Sequence, residues 1–230
     1  MKIAVTRLAG KEESDAARCS RYGHSCYSVH PLRSRVDQSV VTAFVEAVSR
    51  GEFDCLFFTS ALPARLIAPL ITRFPRVIAI GPQTAQVLRH YEIDCETLPH
   101  YYSRDLVPYL GSWINGKHIG IPRADVPNTA LLEAISAAGG LAHEFRCYSL
   151  EPTGHLLPIT DAGAVLFTSA MSYSTALWTP HAGQLVMAIG EVTAGAMRNA
   201  GVSPDVVGDG SLEGTLEALN TFLKKKMIVG

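Results

Sequence analysis

Residues 56–60 read LFFTS, and residues 166–169 read LFTS. In both places a short apolar run ends in a Thr-Ser pair and a helical pattern follows, ALPARLIAPL after the first run and AMSYSTAL after the second. A short apolar run bounded by small polar residues is typical of a strand that is buried on both faces. The repeated stretch therefore predicts two buried strands, each leading into a helix.

The repeat extends beyond these two strands at a constant separation. AIG begins at Ala79 and again at Ala188, and Thr84 corresponds to Thr193, with the same separation of 109 residues as the two FTS stretches. Residues 3–7 (IAVTR) also resemble residues 119–123 (IGIPR). Internal similarity over such a length indicates duplicated structure. The repeats alone predict two copies of one unit, near 1–116 and 117–230.

Strand and helix patterns alternate along the whole chain. The apolar runs IAVT, CLFFTS, VIAIG, HIGIP, AVLFTS and LVMAIG each precede a helical pattern. This alternation predicts an α/β fold with parallel sheets and helices on both faces of each sheet. We expect two similar doubly wound parallel-sheet domains.

The composition excludes several classes of protein. The 20 basic and 21 acidic side chains leave no basic footprint for nucleic acid. No apolar run approaches the ~18 residues of a membrane span, and the strand pattern at residues 2–6 leaves no room for a signal peptide. The five cysteines form no C-x-x-C pair and the eight histidines have no ligand spacing, so no disulfide framework or metal site is predicted. We expect a cytoplasmic protein without nucleic-acid or membrane partners.

Small polar residues follow the predicted strands of both copies, where ligands bind in open parallel sheets. We call Thr59, Ser60, Gly81 and Thr84 the first rim, and Thr168, Ser169, Gly190 and Thr193 the second rim. Hydroxyls and backbone N–H groups at such positions could bind an anion, each contributing about 0.3–1 kcal/mol when exposed. Taken singly, each residue is better explained as a helix N-cap than as a ligand contact, and only the duplication of the set favours binding.

The order and spacing of these motifs resemble the uroporphyrinogen-III synthase family along almost the full chain. The resemblance rests on the repeated FTS and IG-x-x-TA stretches and on five further features. These are Thr6-Arg7 after the first strand, a serine-led L-x-x-x-L helix from Ser103, a G-K strand from Gly116 to Arg123, Tyr148 shortly before Pro152, and a second serine-led helix from Ser211.

The resemblance implies a cofactor-free enzyme with interleaved domains, and we expect a monomer. Residues 1–33 and 151–230 would form one domain and residues 36–147 the other, joined by a two-stranded hinge near residues 31–35 and 148–152. We follow this division rather than the halves that meet at residue 116. The implied substrate is hydroxymethylbilane, a linear tetrapyrrole with eight carboxylates, which the family, a lyase, cyclises to uroporphyrinogen III while inverting ring D.

The resemblance also implies which residues act. Tyr148 is the candidate proton donor to the departing water, although a tyrosine on a hinge strand could simply pack. The residues expected to contact substrate carboxylates are Arg7, Thr59, Ser60, Gly81, Thr84, Ser103, Arg123, Ser169 and Thr193. Both arginines offer the planar fork that pairs with carboxylates, but either could also be an ordinary surface arginine at a strand end.

Glu191 departs from the repeat, since Pro82 stands at the corresponding position. A carboxylate at a helix N-terminus suits the helix dipole but would repel an anionic substrate. We therefore expect that Glu191 points away or that the second rim acts chiefly through Ser169 and Thr193, and the first rim is the stronger binding prediction. Two other functions stay open: a non-catalytic module that senses a tetrapyrrole or another anion, and a transferase for a nucleotide-linked substrate.

Overall fold

The computed structural model describes residues 1–8 and 12–229 and follows the predicted alternation of strands and helices. The first half of the chain contains β1 (Lys2–Thr6), α1 (Glu12–Arg21), β2 (Ser25–Val29), β3 (Leu32–Val36), α2 (Gln38–Ser49), β4 (Cys55–Phe58), α3 (Ala61–Ile67), β5 (Arg76–Ala79), α4 (Pro82–His90), β6 (Glu96–Thr97) and α5 (Leu106–Leu110). Three short 3-10 helices span Ala68–Leu70, Ser103–Asp105 and Gly111–Ile114.

The second half has the same character. It contains β7 (His118–Ala124), α6 (Thr129–Ala137), β8 (Leu141–Pro152), β9 (Ala164–Phe167), α7 (Ala170–Thr175), β10 (Leu185–Ala188), α8 (Glu191–Asn199), β11 (Val206–Val207) and α9 (Leu212–Val229). Both predicted FTS strands are present, as β4 and β9, and each leads directly into a helix.

The chain divides into two compact units. Unit 1 comprises Met1–Ser34 and Glu151–Gly230, and unit 2 comprises Arg35–Leu150. The chain passes from one unit to the other twice, within β3 and again within β8. These two strands are neighbours in one sheet. We propose that the two units are the domains expected from the resemblance, 1–33 with 151–230 and 36–147.

Unit 1 is built on a sheet of five strands in the order β11-β10-β9-β1-β2. Its strands pair in parallel, so that Ile3 lies beside Cys26 on one side and Ala164 on the other. Successive side chains of a strand point to opposite faces. Ile3 packs in a core with helices α1 and α9, whereas Ala4 packs in a second core with α8. Burial on both faces explains why the central strands β1, β9 and β10 are almost entirely apolar, whereas the edge strand β2 is more polar and more exposed.

Unit 2 uses the same construction in a sheet with the order β3-β8-β7-β4-β5-β6. Strands β4 to β8 pair in parallel. Along β4, Leu56 and Phe58 pack in a core with α2, α3 and α4, while Cys55 and Phe57 pack in a core with α5 and α6. The predicted α/β class with parallel sheets is therefore confirmed.

The repeated motifs occupy equivalent places in the two sheets. Read from β2, unit 1 has the order β2-β1-β9-β10-β11, and unit 2 has the matching order β8-β7-β4-β5-β6. The FTS strands β9 and β4 are both third, and the AIG strands β10 and β5 are both fourth. Each compact unit thus combines the first βαβ segment of one half with the later strands of the other. The sequence halves near 1–116 and 117–230 are repeats, but they are not the compact units.

Candidate active site

The first rim lies where β4 and β5 end in unit 2. Ser60 and Gly81 are the N-cap residues of α3 and α4, and both have extended backbones, with φ of −165° and −166°. The Ser60 hydroxyl makes no cap hydrogen bond, and Gly81 has no side chain to make one. The simple capping role therefore does not account for the Ser60 hydroxyl.

Ser60 instead lies beside Tyr148. The Ser60 Oγ and the Tyr148 Oη are 3.4 Å apart, which is long for a hydrogen bond between hydroxyls and is a loose contact. Tyr148 on β8 lies next to Ala124, the last residue of β7, just after an irregularity in the ladder. Its carbonyl accepts a hydrogen bond of 2.7 Å from the Asp125 N–H, which fixes the backbone there. The structure thus brings together two of the predicted site residues.

Tyr148 is also a core residue. Only 7% of its surface is exposed, and it packs in the same core as Leu56 and Phe58. The packing role and a role for the hydroxyl are therefore compatible, because the ring is buried while the phenol oxygen reaches the first rim.

Ser103 is joined to a neighbouring helix by a residue that the sequence analysis missed. The Asn128 Nδ2 donates to the Ser103 Oγ over 3.2 Å, and the Asn128 Oδ1 accepts from the Leu131 N–H at the start of α6. An asparagine directly before the helical pattern TALLEAISA is a recognisable N-cap signal. Its second contact, to Ser103, required the tertiary structure.

Thr59 lies at the end of β4 and is partly buried, whereas Thr84 and Thr193 lie inside the first turns of α4 and α8 and are buried. A buried hydroxyl offers little surface to a ligand. Any contact of Thr84 or Thr193 with a substrate would have to involve the backbone or a local opening of the helix start.

Both candidate arginines already have carboxylate partners. Arg123 is buried and donates to the Glu144 Oε1 over 2.6 Å and also to the Val126 carbonyl. Arg7 binds Asp15 through two hydrogen bonds, of 2.8 Å and 3.3 Å. A substrate carboxylate would have to compete with these internal ion pairs.

The second rim differs from the first in how its hydroxyls are used. Ser169 caps α7, since its Oγ accepts from the Ser172 N–H over 3.0 Å and donates to the Ser172 Oγ over 2.8 Å. The Thr168 N–H donates to the Thr6 Oγ1 over 3.0 Å, which ties β9 to β1. The hydroxyls of this rim are therefore largely engaged within unit 1.

Glu191 is exposed and forms an ion pair with Arg198 on the same helix. This pairing directs the carboxylate along α8 and offsets its negative charge. Of the two expectations for Glu191, the structure supports the one in which its charge is turned away from the second rim.

Two buried cysteines in the strands of unit 2 offer no nucleophile. Burial raises the pKa of Cys147, the neighbour of Tyr148, to about 11, and that of Cys55 on β4 to about 12. Both thiols stay protonated near neutral pH, and the thiolate is the reactive form. Among the described residues, no group of three or more potential ligands is arranged to hold a metal ion. Within the same residues, no helix has the length and apolar character to cross a membrane.

A family model and the solved structures point to the same family. A family model described as "Uroporphyrinogen-III synthase HemD" matches residues 14–209. The solved uroporphyrinogen-III synthetase of Helicobacter pylori is 14% identical over 96% of this chain and 99% of that chain, with a TM-score of 0.61. A mutant uroporphyrinogen III synthase of Thermus thermophilus is 18% identical over 97% and 99%, with a TM-score of 0.55. At these identities the structures show a shared fold. A search of curated protein sequences found no match.

Proposed function

This chain belongs to the uroporphyrinogen-III synthase family, and from that premise we propose that it cyclises hydroxymethylbilane to uroporphyrinogen III with inversion of ring D. The reaction would make it a lyase, because a water molecule leaves the substrate. We further propose that it works as a cytoplasmic monomer that needs no cofactor.

The main support from the structure is the contact between Ser60 and Tyr148 at the first rim. In the proposed first step, the Tyr148 phenol protonates the hydroxymethyl oxygen. The carbon–oxygen bond breaks and water leaves with the bonding electrons. The lone pair of the pyrrole nitrogen then stabilises the methylene carbon, which leaves the azafulvene in its N-protonated, cationic form and Tyr148 as the phenolate. Ser60 positions the phenol hydroxyl, and the buried ring keeps it in place.

The azafulvene formed in this way can also cyclise unaided to the uninverted type I product. The main task of the protein is therefore orientation, which can contribute more to a rate than any single catalytic group. The bound chain must be held so that the substituted carbon of ring D attacks, which gives a spiro intermediate that opens and closes again with ring D reversed. Positioned dipoles would stabilise the charges that develop.

We propose that the substrate carboxylates contact the first rim most closely. The residues assigned to these contacts are Thr59, Ser60, Gly81, Thr84 and Ser103, with Ser169 and Thr193 contributing from the second rim. The first rim is the stronger candidate for substrate binding, because the Ser60 hydroxyl is not used for capping whereas the Ser169 hydroxyl is.

Arg7 and Arg123 have a secondary place in this proposal. Their guanidinium groups hold Asp15 and Glu144, so their first role is to fix the ends of β1 and β7. Either could reach a substrate carboxylate only by giving up an internal partner, and a buried ion pair that loses one member leaves an uncompensated charge.

A coupled assay tests the proposal. Porphobilinogen deaminase supplies hydroxymethylbilane, and the products are oxidised and separated into type I and type III isomers. We expect type III product in proportion to the amount of this protein. Type I product alone at every protein concentration would overturn the synthase assignment, and binding of uroporphyrin without turnover would favour the non-catalytic sensing module.

A further inference from the structure

Tyr101 has an unusual backbone conformation beside the first rim. It lies in the loop between β6 and the Ser103–Asp105 helix, and its φ is +62°. This left-handed region is unfavourable for bulky residues, and such outliers gather at ligand sites. Tyr101 is nevertheless 55% exposed. Core burial therefore does not explain the conformation.

The ring of Tyr101 lies against Gly81. A Cβ atom placed on Gly81 would be 3.4 Å from the Cβ, Cγ and Cδ1 atoms of Tyr101. Part of the tyrosine thus covers the residue that begins α4, while more than half of its surface faces solvent. The contact holds an aromatic ring at the first rim.

The second copy of the repeat has a glycine in this place. Gly190 corresponds to Gly81, and a Cβ atom on Gly190 would be 3.1 Å from the backbone N and Cα of Gly210. Gly210 lies in the loop after β11, as Tyr101 lies in the loop after β6, and its φ is +101°. Glycine adopts such angles without steric cost. At equivalent positions, unit 2 therefore has a tyrosine with an unfavourable backbone conformation, and unit 1 has a glycine for which a positive φ is not strained.

The residues after Tyr101 add a second ring and a positive charge. Tyr102 is 57% exposed, and the Arg104 guanidinium lies 4.5 Å from the centre of its ring. Arg104 is exposed, and among the described residues no carboxylate lies within ion-pair distance of its guanidinium. The loop thus offers flat aromatic surface next to an available cation.

We propose that Tyr101 is a substrate-binding residue that stacks on one pyrrole ring, while Arg104 pairs with a carboxylate carried by that ring. This inference rests on the proposed function. A pyrrole with acetate and propionate substituents combines a flat π face with negative charge, which matches an aromatic ring beside a guanidinium. The ring of Tyr101 explains why unit 2 does not use the glycine found in unit 1.

Tyr101→Gly separates binding from structure, because glycine removes the ring and also relieves the backbone strain. We expect a melting temperature close to that of the wild type, and a KM for hydroxymethylbilane raised roughly tenfold, the size of effect expected from one lost aromatic contact. Affinity for uroporphyrin III, measured by titration calorimetry, should fall by a similar factor. Tyr101→Phe keeps the ring and should remain within about twofold of wild type on both measures.

Tyr91→Ala is the matched control, since Tyr91 is another exposed tyrosine of unit 2 but lies at the far end of α4. It should leave KM and affinity unchanged. If Tyr101→Gly does not fold, Tyr101→Asn replaces it, because asparagine tolerates the left-handed conformation.

The outcomes separate this inference from the function on which it rests. A wild-type protein that forms type III product, together with a folded Tyr101 variant of unchanged KM and affinity, would overturn the role of Tyr101 and leave the synthase assignment intact. A wild-type protein that neither forms type III product nor binds uroporphyrin III would overturn both.

Discussion

Two serines that follow equivalent strands make different contacts. Ser60 follows β4 and approaches the Tyr148 phenol, whereas Ser169 follows β9 and caps α7. Their sequence surroundings, FTSA in both cases, are the same. The difference arises from the neighbours of each serine. Ser60 therefore takes part in the proposed chemistry, and Ser169 stabilises a helix.

Tyr148→Phe is the sharpest test at the scale of single residues. The substitution keeps the buried ring and removes only the hydroxyl, whose contact with Ser60 is loose. A positioned general acid accelerates a reaction by about 10²–10⁴, so we expect the rate of type III formation to decrease by a factor in that range. The share of type I product should rise. Because azafulvene also forms unaided, some turnover should persist.

The melting temperature of Tyr148→Phe should equal that of the wild type. Turnover at the wild-type rate would end the assignment of Tyr148 as the acid, and a large loss of thermal stability would indicate that the hydroxyl matters chiefly for packing.

Ser60→Ala and Ser169→Ala form a matched pair at equivalent positions of the repeat. Ser169→Ala removes a helix cap and should lower the free energy of unfolding by about 1 kcal/mol, while product formation falls less than in Ser60→Ala because the Ser169 hydroxyl is already used for capping. Ser60→Ala removes no cap and should leave stability nearly unchanged, while product formation falls several-fold because Tyr148 loses its neighbour. Urea denaturation and the coupled assay measure the two effects. Equal stability losses in both variants would contradict the different roles.

At the scale of strands and helices, ion pairs fix the ends of strands at the candidate site. Arg123 on β7 and Glu144 on β8 belong to adjacent parallel strands, and both side chains are largely buried. Arg146 also binds Glu144, over 3.0 Å. Such a pair is expensive to break, because the largely buried Glu144 would keep only the more exposed Arg146 as a partner.

Arg123→Ala should therefore destabilise the protein by at most about 3–5 kcal/mol, since Arg146 still binds Glu144, but by more than the loss of an exposed arginine of the same sheet. Arg146→Ala is the comparison, since Arg146 is more than half exposed and should cost less than about 1 kcal/mol. Chemical denaturation gives both values. A loss of activity in Arg123→Ala without loss of stability would instead favour direct binding of a substrate carboxylate.

The same two strands carry a pair of histidines. His118 on β7 and His143 on β8 have stacked rings, and the His118 Nδ1 lies 2.9 Å from the His143 Nε2. Burial lowers the pKa of His143, and the adjacent His118 lowers it further, while the Glu52 carboxylate raises it by a smaller amount. The neutral imidazole is therefore favoured in the folded protein.

A lowered pKa in the folded state means that the unfolded chain takes up the proton more readily. The stability that His143 contributes should be complete above its ordinary pKa of 6.5 and should be lost as the pH falls through 6.5 toward the lowered value. Urea denaturation at about pH 7.5 and at about pH 5.5 measures this loss. His143→Gln should show a smaller difference between the two pH values, and an identical difference would contradict the assignment.

At the scale of the whole molecule, the repeats predict the strands but neither their order nor which strands share a sheet. FTS and AIG identify β4, β5, β9 and β10, since burial on both faces leaves a local apolar pattern. The pairing of β3 with β8 joins segments far apart in the sequence, and local patterns do not encode it.

The partners of Arg7 and Arg123 could not be predicted either, because Asp15 and Glu144 reach them only through tertiary packing. Tyr101 carried no sequence signal, as its φ and its contact with Gly81 are visible only in three dimensions.

The exchange of segments between the repeats leads to a prediction about fragments. Residues 35–150 contain all of unit 2, with both of its cores, and should fold alone. Residues 1–116 form a chain of equal length and a complete sequence repeat, but they lack β7 and β8, so β4 would lose its neighbour β7. We expect cooperative thermal unfolding and dispersed amide NMR signals for 35–150, and neither for 1–116. A folded 1–116 fragment beside an unfolded 35–150 fragment would mean that the sequence repeat, and not the compact unit, is the unit of folding.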